Sequence, residues 1–168
     1  MPFVRIAFAS PVEADHRRRV ADAAHEALVA ALGVPADDRF QILETPAQVI
    51  YDPGYLGVRR DAGLVMIEIH LSHGRSVPLK KALFAALAER LASVGVEPRN
   101  VMAHLVETAA ENWSFGDGLA QYADAPPAFC RRLHSLRPGC GASIAPEAGE
   151  WENMRLRNAR TFWTPPRR

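Results

Sequence analysis

The sequence predicts an α+β fold in which two β-α-β repeats form a four-stranded sheet with two helices on one face. Three observations point there. Apolar residues alternate with other types in short stretches, as in half-buried strands. Each unit's first such stretch is followed by apolar residues at threes and fours, the pattern of an amphipathic helix. The first 124 residues then repeat themselves at an offset of 62 to 63 positions.

The first strand is read in Val4-Arg5-Ile6-Ala7-Phe8. The first helix follows from Val20, Ala24, Ala27, Leu28, Ala31 and Leu32. Gly33 closes it, because glycine accepts the left-handed conformation at a helix end. A second strand runs from Arg39 to Glu44. The second unit repeats the order. Leu64 to Leu71 alternates, with Ile67, Ile69 and Leu71 on one face. Leu79, Leu83, Ala86, Leu87, Leu91 and Val94 mark the second helix, Gly95 its end, and Val101 to Glu107 the last strand. Arg18-Arg19 aligns with Lys80-Lys81, Gly33-Val34 with Gly95-Val96, and Glu44-Thr45 with Glu107-Thr108. A strand-helix-strand crossover is normally parallel, so two such units leave one sheet face open to solvent, a ligand or another subunit. The connector from Pro46 to Gly63 carries Asp52-Pro53-Gly54, a strong turn signal. Val49, Ile50, Tyr51, Tyr55 and Leu56 make it apolar, so it is expected to pack on the core or on a neighbour.

The chain has 168 residues, long enough for one domain with a real core and a tail. Residues 1–124 read as that domain. Residues 125–168 hold six of the 13 prolines, eight arginines and no lysine. Against three glutamates the arginines give this stretch a charge of +5 and leave −4 for the first 124 residues. Without a sustained apolar period it is expected to be a largely disordered Pro/Arg-rich tail. Arg160 beside Phe162 and Trp163 leaves open a basic arm for an acidic partner. The overall net charge of +1 argues against a nucleic-acid-coating protein. Two cysteines, Cys130 and Cys140, are too few for a four-thiolate zinc site or a disulfide framework and read as inert thiols. No apolar run is long enough to span a bilayer, and the N-terminus does not read as a signal peptide. A soluble cytoplasmic protein without membrane or nucleic-acid partners is expected.

Chemistry is suggested first by Pro2. A small second residue allows aminopeptidase to remove Met1, leaving a secondary amine at the tip of a strand. An α-amine ordinarily titrates at about 7.7–8.0, and burial or nearby cations lower that value. Such an amine acts as a base near neutrality, or as an acid when protonated. Proline at a strand start is also tolerated for backbone reasons alone.

Pro2, the paired β-α-β units and Asn112-Trp113-Ser114-Phe115-Gly116 together resemble the tautomerase superfamily. Gly33-Val34-Pro35-Ala36-Asp37-Asp38-Arg39-Phe40-Gln41, Gly74-Arg75-Ser76 and Glu111 to Gly116 are similar to its malonate semialdehyde decarboxylase-like branch. The resemblance spans roughly residues 1–124. It implies that Pro2 is the catalytic acid or base and that Asp38 positions water or aids proton transfer. Asp37 reads as turn chemistry. The decarboxylase pattern places two arginines, one residue apart, on the substrate carboxylate. This chain reads His73-Gly74-Arg75, so Arg75 matches the second arginine and His73 replaces the first. Arg75 offers a planar fork to a carboxylate, whereas His73 makes binding weaker or more pH-dependent. Trp113 and Phe115 resemble the family's apolar pocket wall, with Phe40 beside them.

The resemblance further implies a homotrimer, no cofactor and proton transfer on a small keto, enol or aldehyde carboxylate. Decarboxylation or hydration is the close alternative. A catalytically silent oligomeric binding module is the alternative of another class. The other histidines carry less. His70 and His73 fall on opposite faces of a strand, so no metal site is expected. His25 lies in the apolar helix pattern, and His104 alternates in the last strand. Gly116-Asp117-Gly118 reads as a turn, and Arg17-Arg18-Arg19 as a solvated helix face.

Overall fold

The structure is a computed structural model and describes residues 2–125. The expected disordered tail, 125–168, and the expected inert thiols Cys130 and Cys140 therefore lie, but for residue 125, outside the described residues. Strand β1 is Pro2–Phe8. Helix α1, Ala14–Leu32, leads into β2, Phe40–Glu44. The connector then reaches β3, Val65–Ser72, which is followed by helix α2, Val77–Ser93. Strand β4 is Val101–Thr108, and a short helix α3, Gln121–Asp124, ends the described chain.

The four strands form one sheet in the order β2-β1-β3-β4. β1 pairs parallel with β2, and β3 parallel with β4. The two units join through the antiparallel pair β1 and β3, with Ile6 opposite Ile67. This is the predicted pair of β-α-β units. The arrangement has a geometric consequence. The starts of β1 and β2 and the ends of β3 and β4 all lie at the same end of the sheet.

Strand alternation sets the two faces. Val4, Ile6 and Phe8 of β1 and Ile67, Ile69 and Leu71 of β3 are buried on the helix side. They share one core with Val20, Ala24 and Leu28 of α1 and with Leu83, Leu87 and Leu91 of α2. Each fully buried leucine, isoleucine or phenylalanine contributes about 1.5–3 kcal/mol. Gly33 ends α1 at φ 65°, and its N–H donates to the Val29 carbonyl. His25 is buried in α1 and its Nε2 hydrogen-bonds the Ala36 carbonyl at 2.9 Å, which fastens the turn that leads to β2.

The connector is organised by polar contacts. Asp52 accepts the Gly54 N–H at 2.7 Å, and the Tyr51 hydroxyl donates to the Asp61 carbonyl at 2.9 Å. Its apolar residues do not join the core: Ile50 is 87% exposed and Leu56, at φ 59°, is 81% exposed. Of the two expected packing sites for them, this chain's core is the one they do not use. No helix among the described residues is long and apolar enough to cross a membrane.

Candidate active site

Pro2 is buried and begins β1, directly opposite Leu71 in the antiparallel ladder. Its neighbour Phe3 pairs with Phe40 at the start of β2. The strand order therefore brings the sequence candidates to one end of the sheet. Asp38 and Phe40 arrive just before and at the start of β2. His73 and Arg75 follow the end of β3, and Trp113 and Phe115 follow β4.

Asp38 is half-buried while Asp37 is exposed, as the turn reading of Asp37 requires. The Asp38 N–H donates to the Pro35 carbonyl at 3.0 Å, which fixes the turn. Phe40 is 52% exposed on the sheet face away from the helices.

The loop between β3 and α2 is folded back onto the strand ends. The His73 N–H donates to the Thr108 carbonyl at 2.8 Å, extending the β3–β4 pairing by one step. Gly74 takes φ 121°, a conformation that L side chains rarely adopt, and so allows the chain to reverse. Arg75 then lays its guanidinium against the strand end, with Nη1 donating to the Ser72 carbonyl at 2.5 Å.

After β4 the chain makes a short helical turn, Ala110–Asn112, and presents an aromatic stack. The rings of Trp113 and Phe115 lie 5.8 Å apart at 22°, and Tyr122 meets Phe115 edge-on at 4.6 Å. Gln121 locks this segment. Its Oε1 accepts the Phe115 N–H at 3.0 Å and its Nε2 donates to the Gly116 carbonyl at 3.1 Å. Gly116, Asp117 and Gly118 all have positive φ, which confirms a turn there.

Three features of this end escaped the sequence reading. Tyr122 and Gln121 sit past the aromatic motif, where nothing in their local pattern marks them. Ser72 and Thr108 are register partners at the ends of β3 and β4. Their hydroxyls, and the Trp113 Nε1, are buried without a hydrogen-bond partner among the described residues. Lys80 of α2 closes the helix side by an ion pair with Glu107 at 2.6 Å. Among the described residues no group of three or more His, Cys, Asp or Glu is placed to hold a metal ion.

Comparison with known proteins fits this geometry. Two family models, both described as tautomerase enzyme, match residues 38–116 and 2–49. The probable tautomerase YusQ of Bacillus subtilis is 35% identical over 124 residues, covering 72% of this chain and 98% of that protein. The crystal structure of FG41 malonate semialdehyde decarboxylase inhibited by 3-bromopropiolate superposes with a TM-score of 0.69. It is 40% identical and covers 75% of this chain and 98% of its own. A second malonate semialdehyde decarboxylase, whose structures address decarboxylase and hydratase activities, is 30% identical with a TM-score of 0.67. It covers 72% of this chain and 95% of its own.

Proposed function

We infer the reaction from one premise: the chain belongs to the tautomerase superfamily, on its malonate semialdehyde decarboxylase-like branch. It is an enzyme of that superfamily. We propose that it moves a proton on a small carboxylate bearing a keto, enol or aldehyde group, without a cofactor. One observation carries the reading. Pro2 is the buried first residue of a central strand, at the sheet end that also carries Asp38, Phe40, His73, Arg75, Trp113 and Phe115.

Once Met1 is removed, the Pro2 nitrogen is a secondary amine. Burial favours its neutral form. That nitrogen takes a proton from the carbon next to the substrate carbonyl, and the electron pair moves onto the carbonyl oxygen as an enolate. The protonated amine then returns the proton to the other terminus of the enolate system. Arg75 offers its guanidinium to the substrate carboxylate and to the developing enolate charge. Asp38 places a water or a second proton. Phe40, Trp113 and Phe115 wall off water and so strengthen each of these electrostatic contacts. His73 adds a second contact to the carboxylate.

A second reading has specific support, because the two solved relatives at 40% and 30% identity are malonate semialdehyde decarboxylases. In that chemistry the amine stays protonated. The bond to the departing carboxylate breaks, CO₂ leaves, and its electron pair forms an enolate that the amine protonates. His73 in place of an arginine weakens the grip on the carboxylate and favours the first reading. The apolar connector residues and the open sheet face support self-association, and a homotrimer is the proposed form.

The experiment is an intact-mass measurement joined to a substrate panel. The panel holds an enolisable arylpyruvate, malonate semialdehyde and a haloacrylate, each run beside Pro2→Ala. Loss of Met1 with Pro2-dependent turnover is expected, and the preferred substrate separates the two chemistries. Retained Met1, or turnover unchanged in Pro2→Ala, would point to a binding module instead.

A further inference from the structure

The stretch that follows β4 is not pinned by burial. Among the described residues Ala110 is the last buried one, and none of residues 111–125 is buried. The backbone hydrogen bonds there are local. The Asn112 N–H donates to the Ala109 carbonyl, Trp113 to Ala110, Leu119 to Gly116 and Ala123 to Ala120. Each closes one turn, and none of these four ties the aromatic limb, Trp113 to Gly116, to α3. Asp117 and Gly118, both at positive φ, carry the chain between the two.

Gln121, the first residue of α3, spans that gap. Its Oε1 accepts the Phe115 N–H at 3.0 Å and its Nε2 donates to the Gly116 carbonyl at 3.1 Å. A primary amide suits this task because it offers an acceptor and a donor side by side. Turned over, it would set donor against donor and acceptor against acceptor, so the two contacts fix its orientation. The backbone is thereby held at two consecutive residues. Tyr122, next in the chain, sets its ring edge-on against Phe115 at 4.6 Å, and Phe115 stacks on Trp113 at 5.8 Å. A shift of the Phe115 backbone therefore displaces the stack.

We propose that Gln121 is a positioning residue, which sets where the Phe115 ring stands and so how well the site holds an apolar group carried by its carboxylate ligand. The proposal rests on the reading of Trp113 and Phe115 as the pocket wall and adds what fixes that wall. Gln121 acts through the backbone of Phe115 and Gly116. Without the amide this stretch loses both bonds to α3. A ring seated on the wall must then order it, which costs affinity. A ligand without a ring makes no such demand.

The test uses 3-phenylpropionate and propionate, which share a carboxylate and differ by one ring. Titration of the full chain followed by NMR gives a dissociation constant for each. Gln121→Met keeps the side-chain length without the amide, and Gln121→Ala removes both. In each variant the affinity for 3-phenylpropionate is expected to fall about tenfold, the scale of two lost hydrogen bonds, with propionate unchanged. The Trp113 indole N–H signal, identified by its loss in Trp113→Phe, is expected to move in both. Thermal melting should change little, because residues 111–125 bring no buried residue to the core. Tyr51→Phe serves as the control. It removes the connector's hydrogen bond to the Asp61 carbonyl and is expected to keep the preference for the ring. A ring preference retained in both Gln121 variants overturns the proposal. An equal loss in Tyr51→Phe overturns it too, since the effect would then be a general loosening. A wild type that binds both ligands alike, or neither, overturns the wall reading and the proposal with it. The proton-transfer reading is decided separately, by turnover in Pro2→Ala.

Discussion

Pro2 lies directly opposite Leu71 in the antiparallel pairing of β1 and β3. This one register pair assembles the candidate site. It sets the first residue of the central strand beside the end of β3, where the chain turns out through His73 and Arg75. A slip of one residue would turn Pro2 to the opposite sheet face and displace it from these groups. The register is held by core pairs further along the strands, Val4 with Ile69, Ile6 with Ile67 and Phe8 with Val65. Packing energy in the core thereby fixes the position of the Pro2 nitrogen, the proposed acid or base.

Pro2→Ala is expected to lower turnover by about a hundredfold or more, the usual contribution of a positioned acid or base. The variant keeps an N-terminal amine, but a primary one without the ring's rigidity. The folded state loses little, since a strand start tolerates either residue. Steady-state kinetics beside a thermal melt checks both halves. Equal kcat in the two proteins would remove Pro2 from the reaction.

Gly33→Ala is expected to destabilise the fold by about 1–2 kcal/mol, the cost of placing a side chain in the left-handed region. Gly33 sits at φ 65°, and a Cβ there would meet no atom within 4 Å. Backbone strain is therefore the whole effect. Denaturant titration reads it as a lower midpoint at unchanged slope.

Much of this fold was legible because its signals are local. The periods of α1 and α2, the glycine ending α1 and the repeat offset each lie within a short window. The strand at Pro2 was less legible. Alternation was read only from Val4, whereas backbone pairing extends β1 back to Pro2. The Arg5–Glu68–His104 row could not be read, because it depends on the register between strands more than 30 residues apart. Similarly, nothing near Gln121 announces that its side chain holds the backbone of Phe115 and Gly116. The candidate residues themselves were found by motif, and the sheet order brings them to one end.

Ser72→Ala and Thr108→Val are each expected to raise stability, by about 1 kcal/mol. Both hydroxyls are buried without a hydrogen-bond partner among the described residues, and an unmade bond costs the desolvation of its group. Removing the hydroxyl removes that penalty at nearly constant shape. Chemical denaturation checks the sign. A loss of stability in both variants would show that each hydroxyl has a partner in solution.

Asp61 gives the fold an acid-sensitive fastening. Its carboxylate accepts the Gly63 N–H at 2.8 Å, the Asn100 Nδ2 at 2.7 Å and the Arg99 Nη2 at 2.9 Å. The Gly63 N–H first, then Arg99 and Asn100, hold its pKa below the ordinary carboxylate value. A depressed pKa contributes stability above the unfolded value, which is lost as pH falls through the folded one. Wild type is therefore expected to melt above Asp61→Asn at neutral pH. The gap should close as the pH drops below about 4. Parallel melting curves across that range would show that the contacts do not distinguish the charged form.

Arg75 is placed to test the substrate class. Its guanidinium rests Nη1 on the Ser72 carbonyl, at the end of β3. Hydrogen bonds to a charged partner are worth about 1.5–3 kcal/mol, so Arg75→Ala is expected to raise KM for a carboxylate substrate about tenfold to a hundredfold. Arg75→Lys keeps the charge but not the fork, and should recover only part of that loss. A substrate ester should show little difference among the three proteins, because it presents no carboxylate to the fork. His73→Arg supplies the guanidinium that the decarboxylase pattern has at this position. It is expected to lower KM for the carboxylate, since it supplies a second planar fork of donors. An unchanged KM in both Arg75 variants would mean that the carboxylate is bound elsewhere. A KM unaltered by His73→Arg, with Arg75 still required, would leave one arginine as the whole anion site.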